Sequence, residues 1–325
     1  MLQAMDLNSY IANAAFVKQF IGWLKRVCIP GLRGVPLYSV LEFLYIELFF
    51  NAPLTMRANA IAYSFFMSIF PAFIVLFSII PYLPFNKEDL LSQIHVTILE
   101  VMPNKTGDTL FEAIHALIKT KRSDALSFGS ILAIYFSSSG VMTLMNGFQK
   151  KDDAFEQRGY WKQLRTAIGI TLMLSFMLTI SSVLVILGTQ IFGWVLKILQ
   201  LSTISAFIFL AIKWLVVVGA LYLGIAILYR FGISTKRKIP YYSPGANVAT
   251  VLSLLTSLGF SFYVDNFSNY NKVYGSFVAG IVLLIWLQLN AMILIIGFEL
   301  NAAIEIFDKK NVKPVSEVTK QLPTN

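Results

Sequence analysis

Six long apolar stretches dominate this chain and decide what it can fold into: Met56 to Tyr82, Leu126 to Phe148, Ala167 to Leu196, Ile204 to Phe231, Pro244 to Val264 and Gly275 to Phe307. A hydrocarbon core about 30 Å thick is crossed by roughly 20 helical residues, and each stretch reaches that length. A water-soluble domain could not hide so much apolar sequence. Hydrophobic residues make up 57% of the chain and charged residues 13%, where an ordinary soluble domain carries about 25% charge. The expected fold is all-α, a polytopic membrane protein of six transmembrane helices.

The segments around these spans are read from periodicity. From Ala15 to Pro30, Phe16, Phe20, Trp23, Leu24 and Val27 recur at helical spacing, with Lys18, Lys25 and Arg26 at other positions. This is a basic amphipathic helix, suited to lying on an anionic leaflet or to packing on the rest of the protein. Val35 to Phe50 is apolar but short and holds Glu42 and Glu47, which suggests an in-plane or re-entrant segment. Residues 85–124 have mixed charge, with Leu90, Leu91, Ile94 and Ile98, then Leu110, Ile114 and Leu117, at helical spacing. They predict a small helical pair outside the membrane. The domain reading is therefore 1–55 as a cytoplasmic tail with interfacial helices, 56–307 as the six-helix domain with its insertion at 85–124, and 308–325 as a second cytoplasmic tail. The start, with Asp6, Asn8 and Ser9 ahead of any apolar run, lacks the basic opening and cleavage site of a secretory signal peptide. Cys28 is the single cysteine, so neither an intrachain disulfide nor a cysteine metal site is available.

The net charge of +9 would suit nucleic acid, but its distribution points to topology. One set of connections carries Lys18, Lys25, Arg26, Arg33 and Arg57; Lys150, Lys151, Arg158, Lys162 and Arg165; Arg230, Lys236, Arg237 and Lys238; and Lys309, Lys310, Lys313 and Lys320. The alternate set carries only Lys87, Lys105, Lys119, Lys121, Arg122, Lys197 and Lys272. Lys and Arg accumulate on the cytoplasmic side. Both termini are thus expected inside and residues 85–124 outside, and the case for nucleic acid falls away.

Particular residues then carry a resemblance. The chain has Arg57-Ala-Asn-Ala-Ile-Ala-Tyr63-Ser-Phe-Phe-Met-Ser-Ile-Phe-Pro71 in its first span and Leu228-Tyr-Arg-Phe231 leaving its fourth. Pro244-Gly-Ala, Gly259-Phe-Ser-Phe-Tyr263, Tyr274-Gly-Ser, Leu284-Ile-Trp286-Leu and Gly297-Phe-Glu-Leu-Asn301 follow in order. Over roughly Ala52 to Glu305 it resembles the YihY or virulence-factor-BrkB family of bacterial inner-membrane proteins, formerly labelled ribonuclease BN. The resemblance implies a multi-pass protein of the bacterial cytoplasmic (inner) membrane. It implies no catalytic residue.

The residue types argue against an enzyme. Metal-assisted phosphodiester cleavage needs convergent His, Asp or Glu ligands, yet His95 and His115 lie in the outer segment and Asp152 and Asp153 read as a charged turn. No phosphate-binding glycine loop or nucleophile elbow is present. No cofactor or metal is expected. Polar residues instead fall near mid-depth: Ser68 and Pro71, Ser137 to Ser139, Ser175 and Thr179, Ser253 and Thr256, and Gln288 and Asn290. Helix packing explains such residues; so does a polar substrate cavity, with Pro71 breaking the first helix. Lys213 is the one charge well inside a span and either snorkels outward or anchors a ligand. Arg57 and Glu299 reach matching depths and are expected to form an ion pair. The functional expectation is a transporter or flippase of a lipid-like or amphipathic molecule, with Lys213, Gln288, Asn290, Ser68 and Pro71 at its cavity. The alternative is a non-transporting scaffold for envelope proteins; a membrane-bound nuclease is disfavoured. Membrane lipids, a lipid-like substrate and further copies of the chain are the expected partners.

Overall fold

The computed structural model describes residues 34–51, 53–79, 104–119, 123–199, 203–266 and 276–309, with isolated positions at 22 and between 88 and 98. The amphipathic stretch expected at 15–30 and the tail beyond 309 lie outside the described residues. The described residues contain no strand; one isolated bridge joins Phe155 to Thr235. The helices are α1 (Leu37–Ile46), α2 (Leu54–Ile79), α3 (Asn104–Lys119), α4 (Ser123–Gly147), α5 (Tyr160–Leu199), α6 (Thr203–Ile227), α7 (Pro244–Asn266) and α8 (Ser276–Lys309). Two π-helical turns, Glu47–Asn51 and Leu228–Gly232, follow α1 and α6. Five helices are long and apolar enough to cross a membrane, and α1 with α2 forms a sixth unit if that bent pair is one span.

The bend lies elsewhere than Pro71. Helix α2 runs unbroken through that proline, whose missing N–H costs a single backbone bond that a packed membrane helix tolerates. The sharp turn, 69°, lies between Leu37–Phe50 and Leu54–Ile74. Pro53 stands just ahead of α2, where the fixed φ and missing N–H of a proline suit the start of a helix.

Six helices close into a ring in which each packs on its two neighbours, in the order α2, α4, α5, α6, α7, α8 and back to α2. Helix α1 lies on α8, burying Val35 and Val40 with Ala303, Ile304 and Phe307, and α3 lies on α2. Small and hydroxylated residues set the closest approaches. Gly140 of α4 makes room for the ring of Phe65, and Ser64 and Thr143 hydrogen-bond across the same contact at 3.1 Å. Helices α7 and α8 cross backbone to backbone at Gly245 and Gly297, where a Cβ on Gly245 would fall within the carbonyl oxygen of Gly297.

Burial runs strongly from one end of the ring to the other. The end that carries the abundant cations, at the starts of α2, α5 and α7 and the ends of α4, α6 and α8, holds the packed core of Phe148, Tyr229, Phe298, Ile61, Leu144 and Ile170. Toward the other end no described side chain is buried over 172–181 of α5, 211–223 of α6, 254–263 of α7 or 280–290 of α8. Five consecutive residues of α6, Ala211 to Leu215, are all exposed. Successive helical residues turn by 100°, so α6 is bare on every side at that level. Among the described residues the ring is therefore densely packed at the basic end and thinly packed beyond it on α5 to α8.

Candidate functional site

Four charged side chains meet in the closed end. Arg57 stands in the first turn of α2, just beyond the Pro53 boundary, and Glu299 lies in the apolar C-terminal half of α8. Arg57 Nη1 lies 2.7 Å from Glu299 Oε1 and donates to the Gly147 carbonyl at 3.1 Å, which ties the end of α4 to the pair. Lys150, three residues beyond α4, sits with its Nζ 2.7 Å from the second Glu299 oxygen and 2.6 Å from Glu47 Oε1. The Lys150 ammonium also lies over the ring of Phe43, 5.0 Å from its centroid.

These charges alternate along a chain, Glu47, Lys150, Glu299, Arg57, and cancel. Their burial is deep: side-chain exposure is 0% for Glu299, 8% for Lys150 and 17% for Arg57 and for Glu47. Removing an ion from water costs several kcal/mol, of order, and is offset only by close partners. A cation on each Glu299 oxygen meets that requirement. The network joins the turn after α1, the start of α2, the loop after α4 and the C-terminal half of α8, and so ties together residues as far apart in sequence as Glu47 and Glu299.

A second polar cluster lies beside it. The first backbone N–H groups of α7 have no helical partner; Gly245 N donates to Asn301 Oδ1 at 2.9 Å and Ala246 N to Ser243 Oγ at 3.3 Å, while Asn301 Nδ2 donates to Ser243 Oγ at 3.2 Å. Tyr229, fully buried in the π-helical turn, donates to the Leu294 carbonyl at 2.8 Å. Across the ring Gln163 donates to Asn146, and Gln149 to both. The loops after α4 and α6 are pinned together, Glu156 N donating to Ser234 O and Lys236 N to Ala154 O. Arg158 clamps the same junction through the carbonyls of Phe231 and Ile233, at 2.8 and 3.2 Å. Partial burial lowers its guanidinium from the ordinary value, and Glu156 opposes that shift.

The other sequence-derived residues are placed as follows. Ser68 is buried and donates to Phe65 O at 2.6 Å; Pro71 is buried within α2. Gln288 and Asn290 are half-buried on α8, and Asn290 Nδ2 bonds back to Trp286 O at 2.9 Å. Lys213 is exposed on α6, within the stretch 211–223 where no side chain is buried. It lies about 25 Å along its helix from Arg230, whereas Asn290 lies about 13 Å from Glu299 at 1.5 Å per residue, and among the described residues no ion pair or hydrogen bond joins Lys213 to Gln288 or Asn290. The structure therefore brings Arg57 and Glu299 together and leaves Lys213 apart from the two amides. Lys150 and Glu47 are the partners that sequence reasoning did not assign. The charge of Glu47 inside an apolar stretch was a usable signal; Lys150 stood among too many loop cations to be singled out.

Asp152 closes a turn by accepting from Ala154 N at 2.9 Å, and among the described residues no group of three or more His, Cys, Asp or Glu could hold a metal ion. His95 stacks on Phe111, with centroids 4.1 Å apart, and lies 3.3 Å from Asp108, in the segment that includes α3.

Comparison with known proteins gives the family. The family described as Virulence factor BrkB matches residues 48–319, and no solved structure matches. The chain is 29% identical over 247 residues to the ribonuclease-like protein YfkH of Bacillus subtilis (strain 168), covering 76% of this chain and 88% of that protein. It is 24% identical over 276 residues to the UPF0761 membrane protein VV0203 of Vibrio vulnificus (strain YJ016), covering 84% of each. The UPF0761 membrane protein MS0032 of Mannheimia succiniciproducens is also 24% identical, over 264 residues. Motif pieces as distant as Arg57, Tyr229, Gly245 and Gly297 to Asn301 meet in the closed end of one multi-pass helical ring, and the chain is a member of the Virulence factor BrkB family of membrane proteins.

Proposed function

We propose that this protein moves a lipid-like or amphipathic molecule across the bacterial cytoplasmic membrane, with the basic end and both termini in the cytoplasm and without nucleotide hydrolysis. The observation that carries this reading is the burial gradient. On this reading a ring sealed by a buried four-charge network at one end and thinly packed beyond it would hold a crevice open sideways to lipid and closed toward the cytoplasm, as in one state of an alternating-access cycle. Buried charges within a membrane bundle commonly mark transport pathways, and here their neutral, paired arrangement would form the inner seal. On this reading Lys213, exposed on α6, would meet a ligand in that crevice, with Gln288 and Asn290 of α8 and Ser68 and Pro71 of α2 nearer the seal.

The test is translocation in vesicles. Purified protein is reconstituted with a phospholipid whose fluorescent label is bleached by a membrane-impermeant reductant. Bleaching beyond the outer-leaflet share, lost in a Glu299→Gln variant that still inserts, is the expected result. Bleaching no greater than in protein-free vesicles, across neutral and anionic labelled lipids, would remove the reading.

A further inference from the structure

A cleft of about 360 Å³ opens at the basic end between the start of α5, the π-helical turn after α6 and the loop leading to α7. It is separate from the Glu299 network: Arg57, Lys150 and Glu299 do not line it. Arg158, Lys162, Arg230, Lys236 and Lys238 line it, with Glu156 as the one carboxylate. Five cations against one acid leave a strong positive excess in a concave, partly desolvated space.

The two arginines form a fixed floor. Arg158 is held by the carbonyls of Phe231 and Ile233. Arg230 donates to the Ile239 carbonyl at 3.1 Å and stacks over the Tyr241 ring at 4.3 Å. Neutral carbonyls position a guanidinium without cancelling its charge, and a guanidinium carries five donors, so each fork keeps capacity for an anion. Lys162, Lys236 and Lys238 are exposed around the rim. Exposed aromatics mark the level of the cleft in the membrane: Trp161 beside Lys162, and Tyr242 at the approach to α7. Such residues settle at the headgroup layer.

We infer that this cleft binds a phosphate-ester anion of the size of a phospholipid headgroup. Its volume stands at the small end of ligand sites, which run from about 300 to 1,000 Å³, and suits a phosphoryl group with a short polar substituent. Arginine forks match phosphate oxygens in a bidentate manner, and basic pockets between helix ends on the cytoplasmic side take anionic headgroups. The site stands independently of transport, because it concerns equilibrium binding at the closed end.

The experiment counts ligands on the full-length protein in neutral detergent by native mass spectrometry, using dioctanoyl phosphatidylglycerol, dioctanoyl phosphatidylcholine and inorganic phosphate as probes. One phosphatidylglycerol should bind at least about tenfold more tightly than phosphatidylcholine, and each of Lys162→Gln, Lys236→Gln and Lys238→Gln should weaken it about fivefold. Arg158→Lys, which keeps the charge and loses the fork, should weaken it as well. Competition by inorganic phosphate would assign the free anion as occupant, and failure to compete would assign the lipid; either supports a phosphate site. Equal binding of the two lipids would overturn the proposal. So would equal weakening by Lys151→Gln with Arg165→Gln, exposed cations of the same end outside the cleft, or displacement of the lipid by a short RNA at lower concentration than by phosphate.

Discussion

Glu299 has the most exacting surroundings of any side chain in the network, being wholly buried with a cation on each oxygen. Replacing it with Gln leaves Arg57 facing a neutral amide and Lys150 with Glu47 alone. Breaking a buried pair from one side costs about 3–5 kcal/mol, so Glu299→Gln should lower the unfolding temperature in detergent far more than Glu47→Gln, whose loss still leaves Lys150 on Glu299. A double-mutant cycle on Arg57→Ala and Glu299→Gln should give a coupling beyond about 0.5 kcal/mol; additive losses would show that the pair contributes nothing specific. The pairing of Arg57 with Glu299 was legible in the sequence because both lie on spans whose ends could be counted. Lys150 and Glu47 were not legible as partners, since a loop cation and a residue in a π-helical turn are placed only by the tertiary path of the chain. Lys213 presents the opposite case: its charge inside an apolar span was plain, while its exposed position on α6 depends on how far the neighbouring helices diverge. Lys213→Met should impair vesicle translocation while membrane insertion is unchanged, with Lys213→Arg retaining part of the activity. Wild-type translocation by the Met variant would take Lys213 out of the proposed pathway.

At the scale of elements, the crossing of α7 and α8 leaves the least room for change. A Cβ on Gly297 would press on the Tyr229 hydroxyl, would stand 2.6 Å from the Gly245 carbonyl oxygen and 2.9 Å from the Ala249 Cβ. Backbone cannot retreat as a flexible side chain can, so Gly297→Ala and Gly245→Ala should each destabilise by at least about 1–3 kcal/mol. Gly219→Ala on α6, with nothing within 4 Å of the added carbon, should be neutral or stabilising by up to about 1 kcal/mol through helix propensity. Thermal unfolding of the three variants checks this; equal effects would mean that the crossing is looser than drawn. Helix positions could be read from apolar run lengths to within a few residues at α4, α7 and α8. The placement of the break could not, because Pro53 and Pro71 look alike in sequence, and only packing decides that Pro71 is held within a continuous helix.

For the molecule as a whole, the alternation of Lys and Arg between successive connections agrees with a ring in which every second helix end meets at one pole. The polarity of that pole toward the cytoplasm is a separate matter: a reporter active only in the cytoplasm should work at the C-terminus and fail when inserted between Lys105 and Lys121, and the reverse result would invert the protein. What composition could not convey is that no side chain is buried over 172–181 of α5, 211–223 of α6 or 254–263 of α7, since apolar side chains facing lipid and apolar side chains facing one another have the same sequence. Spin labels placed singly along α5 from Gln163 to Ile180, with Cys28 replaced, measure this most directly through their collision rates with oxygen and with a water-soluble nickel chelate. The account predicts a helical rhythm of protection up to Thr171, with minima at Gln163, Ala167, Ile170 and Thr171, and then high oxygen collision rates at nearly every position to Ile180, with only shallow minima at Leu174 and Met177. Protection of equal depth and period continuing through Ile180 would show that α5 is packed alike over 163–180, and would contradict a ring whose packing thins beyond its basic end.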